Sequence, residues 1–181
     1  MTTTASGTTA AFAADYDAPI PYMQRTRDYY RVLGFKPYRW AHFVEVPFTP
    51  LRMPLDRARV ALITTAAPFQ PGVGDQGPGA AYNAAAKFYQ VYSMAADTVP
   101  DLRISHVGYD RLHTTAADIN TYLPLAQMKA AAAAGRFGSL APRLHGAPTN
   151  RSHRVTIETD TPELLQRCRE DRVAAAVLVP S

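Results

Sequence analysis

Arg59-Val60-Ala61-Leu62-Ile63-Thr64-Thr65 is the stretch that decides the fold class. A short apolar run bounded by polar residues suits a central strand buried on both faces. It opens into Ala66 to Gly79, rich in glycine and proline, and open α/β sheets place ligands in loops at the carboxyl ends of strands. A helix is expected from about Ala80 to Phe88. Leu102-Arg103-Ile104-Ser105-His106 reads as a second strand, again running into a polar loop.

Toward the C-terminus, Pro124 is a good early helix residue and Leu125 to Ala134 reads as helix, because alanine costs least there. Gly135 stops it. Gly138 to Pro142 reads as a turn, and Leu144 to Ser152 as loop. Val155-Thr156-Ile157-Glu158-Thr159 alternates in the manner of a strand. Thr161 then reads as an N-cap, with Pro162 at the first helical position and Glu163 in the first turn. Leu164, Leu165 and Cys168 are expected on the buried face of that helix. Val173 to Val179 is a strongly apolar segment expected to be a central strand, and helix plus strand make half of a βαβ unit.

The reading is therefore an α/β fold: an open, mostly parallel sheet with Rossmann-like or flavodoxin-like layering. The chain stops at Pro180-Ser181, directly after a strand, so the sheet is expected to be incomplete at its C-terminus. Residues 1–20 read as a disordered tail. Residues 21–57 read as a helix, Tyr22 to Leu33 with Gly34 as C-cap, followed by an aromatic and proline-rich arm from Pro37 to Pro54 that forms no long element. Residues 58–181 make the α/β domain.

Composition narrows the function classes. With 181 residues, 47% of them hydrophobic, the chain is long enough for one domain with a substantial core. No apolar run reaches the roughly 18 residues of a membrane span. The opening MTTTASGTTAAFAADYD lacks the basic and apolar regions of a secretory signal. One cysteine, Cys168, excludes an intramolecular disulfide and a cysteine-based zinc site, and fits a reducing, cytoplasmic setting. The net charge of +4 comes from basic residues scattered between Arg25 and Arg172, which argues against nucleic acid as partner. An arginine gripping a substrate carboxylate is the sharper use of that charge, since the guanidinium fork matches a carboxylate.

Chemistry is densest from Ser105 to Asn120, where two histidines, two aspartates, a tyrosine and an asparagine fall within sixteen residues. Proton transfer near neutral pH favours histidine, with an aspartate to orient the ring. His106 with Asp110 or Asp118 meets that need. The same aspartates and asparagine could instead cap turns, leaving the histidines exposed. A metal held by His106, Asp110, His113 and Asp118 matches no ligand spacing, so no metal is assigned. Gly72-Val73-Gly74-Asp75-Gln76-Gly77-Pro78-Gly79 has neither the Lys-Ser/Thr ending of a Walker loop nor a dinucleotide fingerprint, and reads as a flexible loop. Cys168, beside Leu164 and Leu165, reads as inert packing.

Together, Asp101-Leu102-Arg103-Ile104-Ser105-His106-Val107-Gly108-Tyr109-Asp110, then Asp118-Ile119-Asn120, Pro124-Leu125 and Gly135-Arg136-Phe137-Gly138-Ser139-Leu140-Ala141-Pro142, resemble the selenoprotein B group of the glycine/betaine/sarcosine/D-proline reductases. The likeness is strongest to the D-proline reductase-like branch and spans about Pro21 to Ser181. The resemblance implies reductive cleavage of a C–N bond in a small amino acid or N-methylated relative. In such enzymes a selenocysteine or cysteine attacks and a dithiol or thioredoxin-like reductant resolves the product. That nucleophile is expected beyond Ser181, so this chain itself carries no cofactor. His106 becomes the candidate acid for the departing amine, oriented by Asp110 or Asp118, with Asn120, Tyr109, Ser139 and Thr65 as substrate-binding residues. A partner subunit or a homo-oligomer is expected. Two other readings stay open: a non-redox protein binding small carboxylates in the same pocket, and a metal-dependent lyase or hydrolase.

Overall fold

The computed structural model describes residues 19–46, 48–149 and 152–181. The chain divides into two compact units, Met1–Val46 and Pro47–Ser181. Residues 1–18, most of the expected tail, lie outside the described residues.

In the first unit, α1 (Tyr22–Val32) ends as the sequence suggests: Gly34 takes φ +78°, and its N–H and that of Phe35 bond back to the Arg31 and Tyr30 carbonyls at 3.0 and 2.9 Å. A left-handed residue closing two orphan carbonyls is a Schellman stop. Tyr30 meets Phe35 and Tyr38, and Tyr38 meets Trp40 edge-on at 5.0 Å, so aromatic pairs organise this unit where regular hydrogen bonding does not.

The second unit is an α/β fold built on β1 (Arg59–Thr64). On one side β1 pairs along its length with β7 (Ala175–Val179), in parallel, with Val60 opposite Ala175 and Thr64 opposite Val179. On the other it pairs in parallel with β5 (Ser139–Leu140) at its start and β6 (Arg143–Gly146) at its end. These two are one strand interrupted at Pro142, which has no N–H to give the ladder. β3 (Tyr92–Ala95) closes the sheet antiparallel to β6. A separate ribbon pairs β2 (Ala67–Pro68) with β4 (Leu102–Arg103).

Alternation sorts the side chains. Leu62, Tyr92 and Leu144 face a core with Leu102, Tyr122, Leu123 and Leu125, the last from α2 (Leu125–Ala133). Full burial of each leucine is worth roughly 1.5–3 kcal/mol. Ser93, Arg143 and His145 occupy the opposite face, against α4 (Thr161–Glu170). Two glycines are there for close approach. A Cβ on Gly146 would lie 1.9 Å from the Tyr92 ring, and one on Gly138 would lie 2.6 Å from the Arg57 backbone.

Several sequence expectations are corrected. The segment from Val155 to Thr159 is helical: α3 (His153–Val155), capped by Ser152 Oγ, runs through a π-helical turn (Thr156–Asp160) into α4. Pro162 lies inside this continuous helix, where its ring crowds the Glu158 carbonyl, and the wider turn relieves that. Thr161 therefore is no cap. The βαβ unit survives, but its first strand is β6, a segment read as turn and loop. The helix expected at 80–88 shrinks to one 3₁₀ turn, Ala84–Ala86, capped by Asn83. The second strand keeps only Leu102–Arg103 and belongs to the ribbon, not the main sheet. Among the described residues β7 pairs only with β1, and Leu178 is 60% exposed, so here it stands at the edge of the sheet where a central strand was expected. On α4, Leu164 and Cys168 are half-buried and Leu165 is exposed.

Candidate functional site

Thr64, the last residue of β1, is fully buried; its Oγ1 donates to the Tyr122 carbonyl at 2.7 Å and accepts the Ala66 N–H at 3.1 Å. It thereby ties the carboxyl end of the central strand to the segment that follows the polar loop. Tyr92 Oη holds the Ala66 carbonyl at 2.7 Å. The region beyond β1 is a pinned shelf on which the polar loop is built.

Arg111 rivets that loop. Its guanidinium donates to the carbonyls of Ala80 (3.2 Å) and His106 (2.9 Å), and it lies near the rings of Tyr82 and Tyr109. Gly79 N–H bonds to the Thr115 carbonyl at 2.7 Å, joining the glycine-rich loop to the polar one. The glycine-rich loop is itself held: Gln70 and Gln76 exchange two hydrogen bonds, and Asn83 Nδ2 donates to Val73 and Asp75 carbonyls. Between the two loops lies a cavity of about 50 Å³, bordered by Asp75, Gly79, Arg103, Tyr109, Arg111 and Tyr122. That is room for a few waters or the head group of a small ligand.

The structure places the expected residues unevenly. Tyr109 borders the cavity. Asp110 pairs with His113, not with His106 as the sequence suggested: Asp110 Oδ2 lies 2.8 Å from His113 Nδ1, while Oδ1 accepts the N–H groups of Leu112 and His113. Those bonds hold the Asp110 carboxyl below its ordinary pKa. Asp118 caps a 3₁₀ turn, taking Asn120 N–H at 2.9 Å and Asn120 Nδ2 at 2.8 Å, while Asn120 Oδ1 is buried with no hydrogen bond among the described residues. His106 is half-buried, its Nδ1 accepting Gly108 N–H at 3.1 Å. In a neutral ring the proton then sits on Nε2.

Tyr122 links these pieces. Burial raises its pKa, and the charges of Arg103, Tyr109 and Asp118 all act on it, so the four share one electrostatic neighbourhood. Thr65, at the joint carboxyl end of β1 and β7, takes Ser181 N–H on Oγ1 at 2.8 Å. Ser139 is elsewhere. It stands opposite Arg59 at the amino end of β1, about 20 Å of strand away from Thr65 at roughly 3.3 Å per residue.

Residues absent from the sequence-based set also gather. Arg103 borders the cavity with its Nε buried and without a hydrogen bond among the described residues. On the other sheet face, His145 is fully buried; its Nδ1 lies 2.9 Å from Ser93 Oγ, and its Nε2 lies 3.5 Å from Asp171 Oδ2. Burial pushes its pKa down. Arg143 Nε reaches both Asp171 oxygens at 3.0 Å. No local signal marks this cluster, whose members come from β3, β6 and the end of α4. Burial raises the pKa of Cys168, which suits packing rather than nucleophilic attack. Among the described residues, no three His, Cys, Asp or Glu side chains gather in a metal-binding group, and no helix is long and apolar enough to cross a membrane.

No curated protein and no solved structure matches the chain. Residues 36–181, about four fifths of the sequence, match the family described as Glycine/sarcosine/betaine reductase selenoprotein B. That match takes in the sheet, both loops around the cavity and the polar segment from Arg103 to Tyr122, and the chain belongs to the selenoprotein B family of the glycine/sarcosine/betaine reductases.

Proposed function

We propose that this chain is the substrate-binding portion of a reductase subunit that cleaves the C–N bond of a small amino acid or N-methylated derivative, in the D-proline reductase-like branch of its family. The observation that carries the reading is the family match over the whole α/β unit. A dithiol or thioredoxin-like partner supplies two electrons and two protons and becomes a disulfide. The substrate's α-carbon gains one hydrogen and its nitrogen the other; the amine departs from an acyclic substrate and stays tethered to the opened chain of a cyclic one.

The nucleophile of this chemistry is a selenocysteine or cysteine encoded beyond Ser181. Cys168 is unsuited, since its thiol is half-buried and held protonated by its surroundings. His106, with its proton on Nε2, delivers that proton to the departing amine, while Tyr109, Asp118 and Asn120 line the approach. Asp110 acts one step removed, fixing His113 and the turn that carries it. The protein is expected to work in the cytoplasm and as part of a larger assembly.

The test is to read the gene past the Ser181 codon and to express the 181-residue chain beside any extended product. Amine release from glycine, sarcosine and betaine, and ring opening of D-proline to 5-aminopentanoate, are then assayed with a dithiol. Turnover confined to an extended chain carrying selenocysteine or cysteine supports the proposal. Turnover by the 181 residues alone, or an extension lacking both residues, overturns it.

A further inference from the structure

The cavity beside the polar loop is lined by two guanidinium groups, and their bonding differs. Arg111 is spent on scaffolding, since backbone carbonyls of Ala80 and His106 take its donors. No carboxylate contacts it among the described residues, so its positive charge is balanced only by carbonyl dipoles and the Tyr82 and Tyr109 rings. Arg103 is held at one corner only. Its Nη1 contacts Asp101 and donates to the Leu102 carbonyl at 3.0 Å, and the group stacks near Phe69. The opposite edge of the fork, Nε and Nη2, makes no hydrogen bond to a described residue, and Nε is shielded from solvent.

A buried charged donor without an acceptor is costly, and a planar two-donor edge fits a carboxylate in bidentate fashion. The one acid bordering the cavity, Asp75, has Oδ1 occupied by the Gly77 N–H at 2.9 Å. The buried hydroxyl of Ser105, two residues from Arg103, likewise lacks a partner among the described residues.

We propose that Arg103 is the residue that holds the substrate's carboxylate, through Nε and Nη2, in the cavity between the glycine-rich and polar loops. The inference rests on the reading of the chain as an amino-acid-processing subunit. Glycine, sarcosine and betaine share one carboxylate and differ only in N-methylation, so a site that grips the carboxylate accepts all three. The amino end then points out of the small cavity toward the reacting group.

The experiment follows the Arg103 Nε–H signal by ¹H–¹⁵N NMR of the full chain as acetate, glycine, betaine, methylammonium chloride and inorganic phosphate are added. A saturable shift with acetate, glycine and betaine, absent with methylammonium chloride and phosphate, is expected. Arg103→Lys, which keeps the charge but loses the planar fork, is expected to weaken carboxylate binding about tenfold or more. An unmoved Nε–H, an equal response to phosphate, or unchanged affinity in the lysine variant overturns the assignment. The wild-type titration stands even where the variant folds poorly. Loss of this binding leaves the cleavage assay unaffected as evidence, so the two readings fail separately.

Discussion

Ser93 on β3 and His145 on β6 are direct cross-strand neighbours, with Ser93 Oγ 2.9 Å from His145 Nδ1. Arg167 donates to the same Oγ at 2.7 Å, so the hydroxyl proton is free to point at Nδ1 and the imidazole proton sits on Nε2, facing Asp171. A chain of polar contacts thus runs from α4 through the two strands and back to the end of α4. It fastens the helix to the sheet on the face opposite the core.

The first consequence is a pH dependence. Burial lowers the pKa of His145 in the folded protein, while the unfolded chain keeps the ordinary value of 6.5. Below that value the unfolded state binds the proton and the folded state resists it. Stability is therefore full above about pH 6.5 and falls as pH drops through the window below it, by at most about 1.4 kcal/mol per pH unit for one proton. Urea unfolding at pH 7.5 and 5.5 checks this. A His145→Gln variant with the same slope between those values would remove the assignment.

Asp171 is buried and receives Arg143 Nε at 3.0 Å on both oxygens, while its backbone carbonyl accepts Arg59 Nη1 at 2.8 Å. Asp171→Asn is expected to destabilise the fold by about 2 kcal/mol, less than the roughly 3–5 kcal/mol of a fully buried pair because Arg143 is partly solvated. Denaturant midpoints of the two proteins measure it, and equal midpoints would contradict it.

Gly146 lies under the Tyr92 ring, and a methyl group there has no room. Gly146→Ala is expected to cost about 1–3 kcal/mol as overpacking. Combining it with Tyr92→Leu should cost less than the two changes summed, and strict additivity in thermal melts would count against the contact.

Cys168 is half-buried with a raised pKa. Its alkylation by iodoacetamide at pH 7.5 should run slower in the native chain than in the same chain unfolded in urea. Equal rates would reopen Cys168 as a reactive thiol.

β7 offers an open edge, with Val177 40% and Leu178 60% exposed and no charge along Ala175–Val179. Such an edge invites pairing with another chain. Concentration-dependent association in sedimentation velocity is expected, reduced by Leu178→Lys. A monomer at every concentration would refute it.

How much of this was legible in the sequence follows the range of the interactions. The apolar run from Val60 to Thr64, the alanine-rich α2, the glycine stops at Gly34 and Gly135, and the strand at the end of the chain are local signals, and each appears where it was read. The glycines are legible because only a residue without Cβ takes a left-handed φ at no steric cost. The family was legible too, through the segments between Asp101 and Pro142 that resemble it.

Other features were settled by contacts between distant residues. β5 and β6 look like turn and loop, carrying Gly138, Pro142 and Gly146, and become strands because β1 presents a long row of donors and acceptors to them. Val155 to Thr159 alternates like a strand, yet it lies between the Ser152 cap and α4 and is carried into the helix. The sequence by itself determined the α/β class and the central strand, because these depend on neighbours a few residues away. Only the tertiary structure decided that Ser139 lies at the far end of β1 and that Arg103 keeps an open edge on a cavity. Those outcomes depend on which strands pair, and a parallel register joins residues some eighty positions apart that no local pattern connects.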